Sequence, residues 1–346
     1  MKPHLWYAGS YTNGEPYFQG AKGKGIVSFQ FDPLIGEFSE ATLEAELLNP
    51  SWIWSDGRHL FAVEEGFEKN SSLCVFTRYD DASLELADKH LLPGDAFCHG
   101  SHDQHRIGVS CYMDGWSQLF ALSPEEKLSP MSLPWTYEGS GPHPRQEKPH
   151  AHQITYAKEL RSWLVCDLGS DSVWIHDDSF QEAPIRIAVP KGCGPRHLCR
   201  GHTPGIWWLW CELEPLLIAL DIRPGREPRI IHDINLSQIS GCSEVGAGAA
   251  IHLHPSEAWI ACSSRQDHSI LIVDVHQPES PLLLSQLECP GETPRDFRFE
   301  RRGLWLLSAS QDEHVIQAFA MDPAGGISQI PFAWLDTESP VCLCQI

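Results

Sequence analysis

The 346-residue sequence predicts an all-β fold: a seven-bladed β-propeller of four-stranded antiparallel blades. Three observations carry that prediction. First, 27 glycines and 26 prolines punctuate short runs rich in Trp, Val, Ile and Leu, and helix signals are scarce. Second, a unit start, small or proline and then a large polar or aromatic residue, recurs seven times at separations of roughly 44 to 55 residues, the spread of propeller blades. Third, the two ends of the chain complement each other.

In chain order, Trp6-Tyr7-Ala8-Gly9-Ser10 and Gly25-Ile26-Val27-Ser28-Phe29 read as second and third strands that lack a first. Gly20-Ala21-Lys22-Gly23-Lys24-Gly25 is glycine-rich, but it precedes a strand and lacks P-loop spacing, so it reads as a hairpin turn. Ala41 to Leu48 is a short stretch of helical character. Unit starts follow at Pro50-Ser51-Trp52, Phe97-Cys98-His99, Pro149-His150-Ala151-His152, Pro195-Arg196-His197, Ala250-Ile251-His252, Pro294-Arg295-Asp296 and Pro340-Val341-Cys342.

After each start come an apolar strand and a third, alternating one. Trp163-Leu164-Val165-Cys166 followed by Val173-Trp174-Ile175-His176 is an example, and a looser fourth strand fills the remainder. The unit at Phe97 is the most degenerate, because Gln104-His105-Arg106-Ile107-Gly108-Val109 is a poor apolar run. Gly139-Ser140-Gly141-Pro142-His143-Pro144 reads as a long loop inside one blade. The lone first strand at Pro340 supplies what the N-terminus lacks, so one blade is shared by both termini and two sheet edges disappear. Residues 1–346 therefore read as a single propeller domain.

Composition narrows the function. With 25 basic and 46 acidic residues the net charge is −21, which excludes nucleic acid as a partner and disfavours an anionic membrane surface. No apolar run has signal-peptide or membrane-spanning length, so a cytoplasmic protein is expected. The twelve cysteines are scattered through apolar runs, as Cys74, Cys166 and Cys262 are, and read as small core residues of a reducing compartment. Cys342-Leu343-Cys344 is the one close pair.

In a propeller the first strand of each blade lines the central channel, so equivalent positions of different blades converge. Aligning the unit starts brings together His99, His150, His197 and His252, with Arg196 and Arg295 in a shared Pro-Arg frame. The ends of the second strands add Glu65, Glu212 and Arg265. Each has a plain structural alternative: a histidine can cap a turn, and an arginine can pair with a carboxylate such as Asp296 across blades. Several together around one axis, in an acidic chain, point to an anion-binding, acid–base site. The rival is metal: His150-Ala151-His152 and His252-Leu253-His254 each place two imidazoles two residues apart on a strand, but no cysteine or carboxylate completes a tight ligand set. No metal or other cofactor is therefore expected. There is no Gly-x-Ser-x-Gly elbow and no phosphate loop opening a helix.

These residues resemble a known family. Gly9-Ser10-Tyr11-Thr12, Gly25 to Pro33, Asn49-Pro50-Ser51, Pro149-His150-Ala151-His152, Asp167-Leu168-Gly169-Ser170-Asp171, Gly194-Pro195-Arg196-His197, Glu212-Leu213, Ile251-His252, Thr293-Pro294-Arg295-Asp296-Phe297 and Gln311-Asp312 are similar to the seven-bladed lactonases. That family includes cycloisomerase-type 6-phosphogluconolactonase and carboxy-cis,cis-muconate lactonizing enzyme. The resemblance implies a metal-independent lactonase of carbohydrate metabolism, in the pentose phosphate pathway, acting on a small anionic lactone as a monomer or weak homo-oligomer.

It also implies that His150, Arg196, Glu212 and Arg265 form the catalytic set, with Glu212 or His150 as base and proton carrier. From the converging unit starts and strand ends, rather than from the resemblance, Arg295, His197, His252, His99 and Glu65 are expected to contact substrate, with Arg295 adding a phosphate contact. Where the family often carries an acidic residue before Ile-His this chain has Ala250, and it has Cys211 and Ser264 where the family often has Asn. A muconate-type cycloisomerase and a propeller retained as a binding module are the alternative readings.

Overall fold

The computed structural model describes residues 2–13, 20–103, 105–240 and 246–346, and in these residues the chain forms seven sheets around an axis. The innermost strands are Pro50–Ser55, Phe97–His102, Ala151–Ala157, Pro195–Arg200, Gly248–Leu253, Pro294–Phe299 and Pro340–Gln345. Each packs on the next, and Pro340–Gln345 packs on Pro50–Ser55 to close the ring. Numbering the blades from the shared one, blade 1 takes Pro340–Gln345 from the C-terminus and pairs it with His4–Ser10, which pairs in turn with Gly25–Asp32. Blades 2 to 7 then follow in chain order.

The shared blade matches the sequence expectation, and all seven unit starts fall at innermost strands. Ala41 to Leu48 departs from it. Thr42–Glu46 is not helical but the outer strand of blade 1, paired with Gly25–Asp32 and tied by Ser28 Oγ donating to Glu44 Oε1 at 2.6 Å. The cross-strand partner outweighs the weak local preference of a five-residue segment. One short helix, Leu236–Ser240, was not anticipated.

Blade 3 is irregular where the sequence is degenerate: its outer strand is broken into Leu128–Pro130 and Trp135–Thr136. Its second strand still forms over Arg106–Cys111, because Ile107, Val109 and Cys111 alternate into the core; Gln104 lies outside the described residues. Large aromatics fill the spaces between blades. Trp163 of blade 4 reaches over blade 3, where Gly108 leaves room, since a Cβ there would stand 2.8 Å from the indole. The described cysteines are unbridged and mostly buried; Cys342 is buried and Cys344 partly so. Among the described residues no helix is long and apolar enough to cross a membrane.

Two backbone features recur in every blade and set up the channel. The residue before each innermost strand (Asn49, Ala96, His150, Gly194, Ala247, Thr293 or Ser339) accepts a hydrogen bond through its carbonyl from the residue that directly follows the second strand. Six of these seven lead-in residues have φ between 42° and 65°; His150 is the exception. Only Gly194 takes that conformation without a side-chain penalty, which for the others is about 1–2 kcal/mol each. The next feature is a β-bulge one residue into the innermost strand. Ser51, Cys98, His152, Arg196, Arg295 and Val341 each lie opposite no residue of the neighbouring strand, and in blade 6 the two residues Ala249-Ala250 stand against the single Ser263. A bulge bends the strand and re-aims its side chain, here towards the axis.

Removing residues 340–346 should expose the His4–Ser10 edge and the surface covered by the buried Val341, Cys342 and Leu343. The expected outcome is loss of a single cooperative thermal transition in circular dichroism. An unchanged transition would contradict closure by the C-terminal strand.

Candidate active site

The bulges and the second-strand ends meet at one end of the axis in a cavity of about 270 Å³. The bulge residues Cys98, His152, Arg196 and Arg295, shared with the deeper channel, form its floor, and Glu65, Tyr112, Glu212 and Arg265 after the second strands form its wall with the buried Ala96, while Phe67, Met113 and Arg145 lie at the rim. The repeated register accounts for this grouping: the bulge positions and the positions after the second strands are equivalent from blade to blade.

Glu212 is the electrostatic centre. Its Oε1 accepts from Arg145 Nη1 at 2.7 Å and lies 3.0 Å from Arg265 Nη2, while Oε2 accepts from Arg196 Nε at 3.0 Å. Burial raises the carboxyl pKa, but Arg265, Arg145 and Arg196 outweigh it and hold Glu212 well below the usual carboxylate range. Glu212 is therefore a poor proton acceptor and a firm anchor for guanidinium groups. Arg196 is itself pulled down to about 10 by burial and by Arg265, against the attraction of Glu212, and stays cationic at neutral pH. Its Nη1 donates to Ala249 O at 2.6 Å, whereas Nη2 makes no hydrogen bond among the described residues. Arg265 is braced by the carbonyls of Ala247 and Gly248.

A second network involves Tyr11, whose hydroxyl accepts from Arg295 Nη2 and donates to Glu65 Oε2 at 2.9 Å. Arg295 also lies over the Tyr11 ring, 4.8 Å from its centroid.

The histidines separate by depth. His152 stands on the cavity floor with Nδ1 buried and without a hydrogen-bond partner, and Nε2 4.0 Å from Glu212 Oε2. Burial and the neighbouring Arg196 push its pKa well below the ordinary imidazole value, so it is neutral. His150 does not line the cavity. As the lead-in residue of blade 4 it stacks on Tyr112 at 4.6 Å, donates from Nδ1 to Tyr112 O at 2.8 Å, and turns Nε2 towards Glu147.

His197 and His99 lie deeper, edge to face at 5.3 Å, with His99 stacked on Trp52. Burial and Arg196 drive His197 well down, and burial with Arg298 does so for His99. Arg196 touches both levels of the channel. His252 is lower still: Nε2 donates to Asp296 Oδ1 at 2.9 Å, Nδ1 accepts from Arg298 at 3.2 Å, and burial and Arg298 bring its pKa to about 4. These three are a plug beneath the cavity rather than part of its wall.

The His-x-His pairs do not share a ligand direction. His254 is engaged by Ser256 and Gly303 O, away from His252. Among the described residues no three of His, Cys, Asp and Glu group closely enough to hold a metal ion.

Several other motifs are structural. Asn49 Oδ1 accepts from the Thr12 and Asn13 amides, at 2.7 and 2.8 Å. Asp167 Oδ1 accepts from the His150, Gly169 and Ser170 amides. Asp171 Oδ1 takes Gln146 Nε2 at 2.6 Å and the Gly194 amide at 3.0 Å, which fixes the 138–150 loop beside the cavity. Ala250, Cys211 and Ser264 lie outside the cavity lining.

Sequence reasoning singled out Glu65, Arg196, Glu212, Arg265 and Arg295, and these line the cavity. It passed over Arg145, Tyr11 and Tyr112, and took His152 only as a chelating partner. Tyr11 and Tyr112 occupy the same strand-end position as Glu65 and Glu212, so extending that alignment to every blade would have found them. His152 emerges when Ala151-His152-Gln153, not Pro149-His150-Ala151, is aligned with Pro195-Arg196-His197.

Fold and site together define a propeller with an arginine-rich axial cavity. The family described as "Lactonase, 7-bladed beta-propeller" matches residues 5–344, and the chain belongs to that family. It is 25% identical over 355 aligned residues to a 6-phosphogluconolactonase of Bacillus subtilis (strain 168), covering 99% of this chain and 98% of that one. A 6-phosphogluconolactonase of Formosa agariphila is 25% identical, with 94% and 95% covered. Among solved structures, a periplasmic gluconolactonase of Pseudomonas aeruginosa superposes with a TM-score of 0.89 at 20% identity over 100% of this chain and 99% of that one, a likeness of fold.

Glu212→Gln should destabilise the protein at pH 7 by about 3–5 kcal/mol, because it leaves three guanidinium groups without their shared anion. The sign of the pH dependence follows from the depressed pKa. The stabilisation is fully present above the ordinary glutamate pKa and is lost as pH falls through the folded value. Melting curves of the two proteins should therefore converge in acid. A constant difference down to pH 2 would contradict the ion cluster.

Proposed function

We propose that the chain hydrolyses an anionic sugar-acid lactone, with 6-phosphoglucono-δ-lactone as the leading substrate. One observation carries this reading. Four guanidinium groups (Arg145, Arg196, Arg265, Arg295) face two carboxylates (Glu65, Glu212) in one cavity, 4 − 2 = +2, within a chain of net charge −21. Such a cavity attracts an anion against the general field of the protein. The relatives named 6-phosphogluconolactonase support the substrate class.

Lactone opening needs a base for water, a donor for the oxyanion and a proton for the departing ring oxygen. Arg196 Nη2, which belongs to a cavity-lining side chain and makes no hydrogen bond among the described residues, receives the carbonyl oxygen as it becomes an oxyanion. Neutral His152 accepts a proton from the attacking water. The new C–O bond forms at C1, the C1–O5 bond breaks, and the imidazolium returns its proton to O5. The product acid then ionises and releases one proton to solvent.

Glu212 serves this chemistry by holding Arg145, Arg196 and Arg265 in place and by lying near the transient imidazolium. His150, whose nitrogens face Tyr112 O and Glu147, supports the Tyr112 ring from outside.

Replacing Arg196 with Ala should raise KM and lower kcat in a folded protein; unchanged kinetics on a confirmed lactone would overturn its role. His152→Asn should lower kcat by about 10²–10⁴-fold, the usual weight of a general base. Because His152 is held well below 6.5, the wild-type rate should stay level as pH drops to 6.5 and fall only beneath it. An acid limb centred at or above 6.5 would exclude His152 as the base. Activity should also survive a chelator.

A further inference from the structure

We infer that Arg145 reads the far end of the substrate, binding a terminal phosphate at the cavity mouth and setting the preference for phosphorylated over unphosphorylated lactones. This rests on the lactone site proposed above.

Arg145 differs from the other three arginines in where it comes from and in what it can do. Arg196 and Arg295 stand on bulges and Arg265 directly follows a second strand, all built into the blade skeleton. Arg145 comes from the 138–150 connection between blades 3 and 4 and enters the cavity from its rim. Its side chain is 48% exposed, against 18% for Arg265 and 3% for Arg196. It is the cavity arginine that an incoming anion meets first.

Its present partners are replaceable. Nη1 donates to Glu212 Oε1 at 2.7 Å, an oxygen that Arg265 already approaches at 3.0 Å, and Nη2 donates to the Tyr112 hydroxyl at 2.7 Å. When Arg145 lets go, Glu212 keeps Arg265 and Arg196, so its charge stays compensated. Tyr112 regains an acceptor lone pair and keeps its own proton, because burial and Glu212 raise its pKa to about 12. A phosphate dianion offers the planar guanidinium a bidentate partner in exchange, which a sugar hydroxyl cannot do.

The loop itself need not move. Gln146 is fully buried, donates to Leu168 O at 2.8 Å and to Asp171 Oδ1 at 2.6 Å, and pins the backbone next to Arg145. Only the long, half-exposed side chain has to turn. Arg196 and His152 on the floor take the carbonyl end, so a substrate with its reactive end down presents its opposite end to Arg145 at the rim.

Titration calorimetry with 6-phosphogluconate and with gluconate tests the assignment on wild type, Arg145→Gln and Arg145→Lys. Wild type should bind the phosphorylated ligand more tightly. Arg145→Gln should lose about 10–100-fold for it, the weight of a charge-assisted hydrogen bond pair. That loss should exceed the loss for gluconate by about tenfold or more, with Arg145→Lys intermediate, since it keeps charge without the fork.

Equal losses on both ligands would make Arg145 a brace for Glu212 and overturn the inference. So would no loss on either, or a wild type that does not distinguish the two ligands. A wild type that shows the Arg145-dependent preference yet opens no lactone would sink the proposed reaction while leaving this assignment standing.

Discussion

One extra residue near the start of each innermost strand governs how this propeller makes a site. Unbulged strands would alternate their side chains between the two faces of each blade and send few to the axis. The bulge, held by a backbone bond beside the second strand and, in six of the seven blades, by a lead-in residue in the left-handed region, turns a side chain inward. Serine, cysteine, histidine, two arginines and valine occupy these places, so chemistry varies by blade while geometry repeats. Backbone strain at Asn49, Ala96, Ala247, Thr293 and Ser339 belongs to the same device, and ring closure by the C-terminal strand keeps it in register.

Electrostatics then assigns the roles. A buried carboxylate among three guanidinium groups has its pKa pushed up by burial and down by charge, and charge wins at Glu212. A carboxylate that hard to protonate organises cations instead of carrying protons. At His152 burial and the Arg196 charge act in the same direction, and the result is a neutral imidazole with a buried, unpartnered nitrogen. The two groups lie 4.0 Å apart, so an imidazolium formed during turnover would be met by a fixed anion.

The sequence carried the fold almost completely, because the repeat is written in unit starts at Pro50, Pro195, Pro294 and Pro340 and in the apolar strands after them. It misread Ala41 to Leu48, where tertiary pairing overrode a weak local signal, and it had no means to see the short helix Leu236–Ser240. The site was legible where proline marks the register, as before Arg196 and Arg295. It slipped in blade 4, where Pro149 stands two residues ahead of Ala151, the residue equivalent to Pro195. Spacing alone therefore favoured His150 over His152. Arg145 was invisible for another reason: it comes from an irregular loop and obeys no repeat. The motif Asp167 to Asp171, one of the stretches that carry the resemblance, spends its carboxylates on backbone amides and on Gln146.

The central claim is that equivalent positions of different blades converge on one anion with its reactive carbon at the floor. A crystal structure with bound 6-phosphogluconate tests it most directly. The carboxylate is expected against Arg196 and beside His152, with the sugar chain rising past Glu212 towards the rim. A ligand seated instead in the groove of Asp103, Arg106 and Asp178, or one that leaves Arg196 and His152 untouched, would contradict it.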